Sequence, residues 1–200
     1  MNESSASGGN PRTTILVLYF SRGGATRQLA DAIAEGITAA GGEAMLRTVE
    51  SDADAASARD LVVSTDDLHQ CDGLILGSPT RFGHMASALQ KFWESTSSDW
   101  LKGTLINKPA AVFTSTSSLH GGQESTLLSL ALPLLHHGML LTGVPYSQPS
   151  LHGKDAGGSP YGASHLQEAG LSDNEKQTAI ALGRRVCQVA KACADSTIDC

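Results

Sequence analysis

The stretch Gly73-Leu74-Ile75-Leu76-Gly77-Ser78-Pro79-Thr80-Arg81-Phe82-Gly83-His84 decides the fold. Its opening residues are an apolar run without alternation, which predicts a strand buried on both faces, spanning Leu74 to Ser78. The residues after that strand cannot form a simple exit turn. Pro79 lacks a backbone donor and has a fixed φ. Gly83 permits a backbone path closed to other residues. Between them stand a hydroxyl, a guanidinium and an aromatic ring. A strand ending this way offers a surface for something flat and polar at its carboxyl end, where open α/β sheets bind ligands.

The flanking segments supply the rest of such a sheet. Upstream, Thr14 to Phe20 is another continuous apolar run and predicts a central parallel strand. Leu29, Ala32, Ile33, Gly36, Ile37 and Ala40 recur at helical spacing, predicting a helix from Ala25 to Ala40 that Gly41-Gly42 stop. Ala44 to Val49 predicts a second strand. Glu50 to Gln70 is acidic and Ala/Ser-rich and reads as a loop with a short helical piece. Downstream, a helix is expected over Ser87 to Ser95, with Leu89, Phe92 and Trp93 inward. A strand is expected over Ala110 to Thr114 and a Leu-rich helix over Gln123 to His136. Pro133 should limit that helix, since an interior proline costs about 3 kcal/mol. Met139 to Val144 predicts a fifth strand, and 146–168, rich in Gly, Pro, Ser and His, reads as a long loop. Ser172-Asp173-Asn174-Glu175 is a capping box that opens a last helix running to about Ala192, with Leu182, Val186 and Ala190 inward. Alternating strands and helices with short connections predict a doubly wound α/β fold: a five-stranded parallel sheet, order 2-1-3-4-5, with helices on both faces.

Composition narrows the function classes. Two hundred residues suit one packed domain. Met1 to Arg12 is small, polar and Gly-rich, without the basic and apolar regions of a secretory signal. It reads as a disordered leader, 1–12, before a domain at 13–194 and a flexible tail at 195–200. A net charge of −6 argues against a nucleic-acid binder. No apolar run is long enough to predict a membrane span. Cys71, Cys187, Cys193 and Cys200 form no Cys-x-x-Cys pair, hence neither a disulfide framework nor a metal site, and a reduced cytoplasmic setting is expected.

Three loops leave strands one, three and four at the same sheet edge. In the first, Ser21-Arg22-Gly23-Gly24-Ala25-Thr26 joins a strand to a helix N-terminus and makes an anion site for a phosphate. It matches neither the dinucleotide-binding Gly-x-Gly-x-x-Gly turn nor the nucleotide-hydrolase P-loop. The second is Pro79 to Gly83. In the third, Ser115-Thr116-Ser117-Ser118-Leu119-His120-Gly121 brings hydroxyls and backbone donors. A phosphate pocket with two walls around a planar ring is the layout of a flavin mononucleotide site at a topological switch point.

The chain resembles the WrbA-type NAD(P)H:quinone oxidoreductases of the flavodoxin-like superfamily, from about Thr14 to Ala190. The elements that carry the resemblance are Leu16-Val17-Leu18-Tyr19, Gly77 to Gly83, Gly121-Gly122-Gln123-Glu124, His136-His137-Gly138-Met139 and Ser159-Pro160-Tyr161-Gly162-Ala163. The resemblance implies FMN as cofactor, NADH or NADPH as electron donor and a quinone as acceptor. Hydride would pass through FMN in ping-pong order, with the chemistry on the flavin and no protein nucleophile. It implies that Ser21 to Thr26 hold the FMN phosphate. Pro79, Thr80, Arg81, Phe82 and Gly83 would meet the ring, and Ser115 to Gly121 would wrap the ribityl chain and the ring's other side. His136 is similar to a histidine that reaches the flavin of a neighbouring subunit, and Trp100 to an aromatic residue lining the quinone site, within a homotetramer. Gly23-Gly24-Ala25 stand where the family commonly has Tyr-Gly-His, and Leu119-His120 replace glycines in a loop one residue longer. A flavodoxin-like electron carrier without nicotinamide turnover is the rival reading.

Overall fold

The computed structural model describes residues 12–50, 59–153, 157–167 and 170–195. Nearly all of the expected leader and tail lie outside the described residues. Six parallel-paired strands form the sheet. They are β1 (Thr14–Tyr19), β2 (Glu43–Thr48), β3 (Gly73–Pro79), β4 (Pro109–Thr116), β5 (Leu140–Leu141) and β6 (Ala163–Leu166). The order is β2-β1-β3-β4-β5, with β6 also on β4. The helices are α1 (Ala25–Ala39), α2 (Thr65–Gln70), α3 (Ser87–Ser95), α4 (Ser97–Leu101), α5 (Gln123–His136) and α6 (Asp173–Ala194).

The central strands are apolar throughout because both of their faces are covered. Ile15, Val17, Ile75, Ala111 and Phe113 point to one core, closed by α1 and α6. Leu16, Leu18, Leu74, Leu76 and Val112 point to the other, closed by α2, α3 and α5. Each fully buried Leu or Ile contributes roughly 1.5–3 kcal/mol, so these two layers dominate the stability. Helices α1 and α6 cross at a reciprocal glycine contact. A side chain at Gly36 would strike the Ile180 carbonyl, and one at Gly183 would strike the Ile33 carbonyl. Pro133 sits in the last turn of α5, which runs on to His136.

Two expectations are corrected. The fifth strand does not run from Met139 to Val144. Only Leu140–Leu141 pair, and only with Pro109 and Ala110 at the start of β4. The expected loop at 146–168 contains β6, whose four residues pair with Phe113 to Thr116 at the end of β4. The fifth position of the sheet is thus filled by two short strands, one for each half of β4, with the connection between them looping outward. Segment 97–108 opens with helix α4.

Candidate functional site

The carboxyl ends of β1, β3, β4 and β6 converge on one sheet edge. The β1–α1 loop is ordered by Ser21, whose Oγ accepts the N–H groups of Gly24 (3.1 Å) and Arg27 (3.3 Å). Gly24 can cap the helix because it takes φ +91°, a region that disfavours side chains. Helix N-termini leave N–H groups without intrahelical acceptors. With Ser21 occupied by Gly24 and Arg27, the buried amides of Ala25 and Thr26 have no acceptor among the described residues. The first turn of α1 carries no carboxylate. Thr26 Oγ1 and Ser115 Oγ share a hydrogen bond of 2.9 Å that ties α1 to the end of β4. A cavity of about 390 Å³ opens here, lined by Ser21, Arg22, Gly23, Ala25, Thr26, Pro79, Arg81, Ser115 and Gln167.

The β3–α3 loop is rigid for a different reason. Arg81 and His84 exchange both backbone hydrogen bonds (2.8 and 3.0 Å) around Phe82 and Gly83. These two central residues have φ of +52° and +81°, the geometry of a tight primed turn. A bulky residue at positive φ is strained, and here Phe82 is fully exposed. The strain is held from below. Thr80 Oγ1 accepts the Gly83 N–H (3.2 Å) and the Thr126 hydroxyl (2.8 Å). Ser78 Oγ accepts the Ala86 N–H (2.8 Å).

A second, wider cavity of about 900 Å³ adjoins the first through Arg22 and Arg81. Phe20, Phe82, Met85, Leu132, Pro133 and His136 form much of its wall. No Asp or Glu lines either cavity among the described residues, although the whole chain is acidic. The field at this edge therefore favours an anion.

The remaining sequence-predicted residues fall in three places. Thr116 is buried and donates to the Ser118 carbonyl (2.9 Å), while the Gly121 N–H also donates to that carbonyl (3.0 Å). Ser117, Ser118, Leu119 and His120 are exposed, and neither cavity includes them. Trp100 is half-exposed on α4, and its Nε1–H donates to the His136 carbonyl (2.8 Å), so these two residues form one unit. His137, next in sequence, is buried. Its Nε2 is 3.0 Å from Thr96 Oγ1, and its ring packs on Trp93. Burial lowers its pKa, opposed in part by Asp99, so it is held neutral.

One contributor gave no local signal. Gln167 borders the smaller cavity from the end of β6. Beneath it, buried Glu175 accepts the N–H groups of Leu166 (2.8 Å) and Ser172 (2.8 Å) and lies 3.1 Å from His165 Nδ1. Burial raises the Glu175 pKa, but those hydrogen bonds outweigh it and bring it to about 2. Gln123 hydrogen-bonds to Ser164 and to Thr116 Oγ1, closing the same edge. No metal-type cluster of His, Cys, Asp and Glu occurs among the described residues.

The comparisons with known proteins agree with this geometry. The family model of NADPH-dependent FMN reductases matches residues 13–148. The chain is 42% identical over 193 residues to an NAD(P)H dehydrogenase (quinone) of Gluconacetobacter diazotrophicus, covering 89% of this chain and 97% of that one. It is 40% identical to the enzyme of that name from Chromohalobacter salexigens, covering 88% and 96%. Among solved structures it is similar to a WrbA-like flavodoxin protein from Agrobacterium tumefaciens, at 26% identity and TM-score 0.70, covering 90% and 98%. By sheet order, family match and near-complete alignment, the chain belongs to the NADPH-dependent FMN reductase family and, within it, to the WrbA-type NAD(P)H:quinone oxidoreductases.

Proposed function

We propose that this protein reduces quinones to hydroquinones with NAD(P)H, using FMN. The observation that carries the reading is the cradle at the β1–α1 loop. Two unpaired buried amides, three hydroxyls and two arginines surround a cavity without carboxylates, which is the donor set a phosphate monoester requires. The residues present therefore fit FMN. When bound, FMN supplies the two-electron step, accepting hydride from NAD(P)H and returning it to a quinone.

The chain's own part is placement. Ser21, Gly23, Gly24, Ala25 and Thr26 hold the phosphate, with Arg22 balancing its charge. The strained turn of Thr80, Arg81, Phe82 and Gly83, with Pro79 before it, would hold the ring. Ser115, which borders the smaller cavity, would meet the ribityl chain, while Ser117 to His120 stand outside both cavities. Phe82 and the walls of the wider cavity would exclude water from the flavin once a neighbouring copy covers them. Nicotinamide and quinone use that face in turn, and the second proton of the hydroquinone comes from solvent.

The active assembly is a homotetramer in this reading. Leu128, Leu132 and Leu135 leave a row of exposed apolar side chains on α5, beside Phe82 and the Trp100–His136 unit. An apolar face of this kind favours covering by another copy. Trp100 and His136 then close the quinone site of a neighbour. No helix among the described residues is long and apolar enough to cross a membrane. The free thiols of Cys71, Cys187 and Cys193 suit the reducing cytoplasm. The test is purification, identification of the bound flavin, and assay of benzoquinone reduction by NADH and by NADPH. A flavin-free protein that cannot be reconstituted with FMN overturns the reading.

A further inference from the structure

We propose that Gln167 is a ligand of the flavin phosphate, donating to it from the β6 side of the cavity. The proposal rests on the FMN reading above and adds a residue that no part of the strand–loop pattern contains.

Its backbone is fixed from two directions. The Gln167 N–H donates to the Thr116 carbonyl (2.8 Å), continuing the β4–β6 register by one residue. The preceding Leu166 N–H donates to the Glu175 carboxylate (2.8 Å), which is anchored in the capping box of α6. The backbone is thus set before any ligand arrives, leaving only the exposed side chain to be ordered on binding.

The side chain lies over the phosphate loop. A Cβ added to Gly23 would stand 3.4 Å from Gln167 Nε2, in ordinary van der Waals contact. The carboxamide thus lies beside Gly23 and borders the cavity directly. A bound phosphate presents several acceptor lone pairs. The helix amides of Ala25 and Thr26 serve the α1 side. A carboxamide adds two N–H donors without another charge.

The experiment compares wild type, Gln167→Ala and Gln167→Glu. Affinities for FMN and for riboflavin, which lacks the phosphate, are read from quenching of flavin fluorescence, and thermal melting of each flavin-free protein checks the fold. Loss of two donors in Gln167→Ala should weaken FMN about 10-fold. The near-isosteric Gln167→Glu sets a carboxylate against the phosphate and should weaken FMN about 100-fold. Riboflavin affinity should stay within about twofold in both, because no phosphate is present. FMN affinity unchanged in both variants, or FMN and riboflavin weakened equally, overturns the proposal while leaving the FMN reading intact. A wild type that binds FMN no better than riboflavin also overturns it. Failure of wild type to bind either flavin overturns both.

Discussion

The two cavities at the sheet edge are built on opposite principles. The smaller is polar and complete within one chain: a helix N-terminus, three hydroxyls and two arginines, each on an element fixed by the sheet. The wider is walled by Phe20, Phe82, Met85, Leu132 and Pro133 and open to solvent, and its rim carries exposed apolar side chains. In the proposed function the first alone holds the phosphate. The second acquires a dry interior only when something covers it. Cofactor affinity should therefore reside in the single chain, and quinone turnover in the assembly.

The smaller cavity is most sensitive at Gly24. At φ +91° a β-branched side chain is strained, so Gly24→Val must rearrange the phosphate loop. FMN affinity should fall by about 100-fold, measured by fluorescence titration. The converse variant is Leu132→Asp with Leu135→Asp, both at exposed positions. Sedimentation should show the assembly dissociating, with quinone turnover falling about 10-fold and FMN affinity changing less than about twofold. Equal loss of flavin would show that the two cavities are not separable.

Trp100→Ala should act more narrowly. It removes the hydrogen bond to the His136 carbonyl and should raise the quinone KM about 5-fold while kcat and FMN affinity hold. The smallest effect concerns acid stability. The Glu175 pKa is about 2 in the fold and near 4.3 in the unfolded chain. Its contribution is therefore full above the unfolded value and lost as pH falls from there toward about 2. Urea midpoints should decline over that window in wild type and decline less steeply in Glu175→Gln.

The smaller cavity was legible in the sequence except for Gln167, and the wider one only in part. Continuous apolar runs at Thr14–Tyr19 and Gly73–Leu76 mark strands buried on both faces, and their loops follow from the chain order. Ala163–Leu166 escaped because Ala-Ser-His-Leu has no strand signature of its own. It becomes a strand through pairing with β4 and through Glu175, which caps the following helix. Such partners are distant in sequence, and Gln167 was hidden for the same reason. Leu140–Leu141 form only two ladder pairs because β6 takes over the upper half of β4. Trp100 and His136 are joined by a side chain to backbone bond across 36 residues, which no local pattern encodes.

In the proposed function nicotinamide and quinone use one flavin face in alternation, beside this chain's two adjoining cavities. Steady-state rates with NADH or NADPH and benzoquinone, each varied at several fixed levels of the other, test it directly. Parallel double-reciprocal lines are the predicted result. Intersecting lines would require both substrates to be bound together and would contradict the shared site.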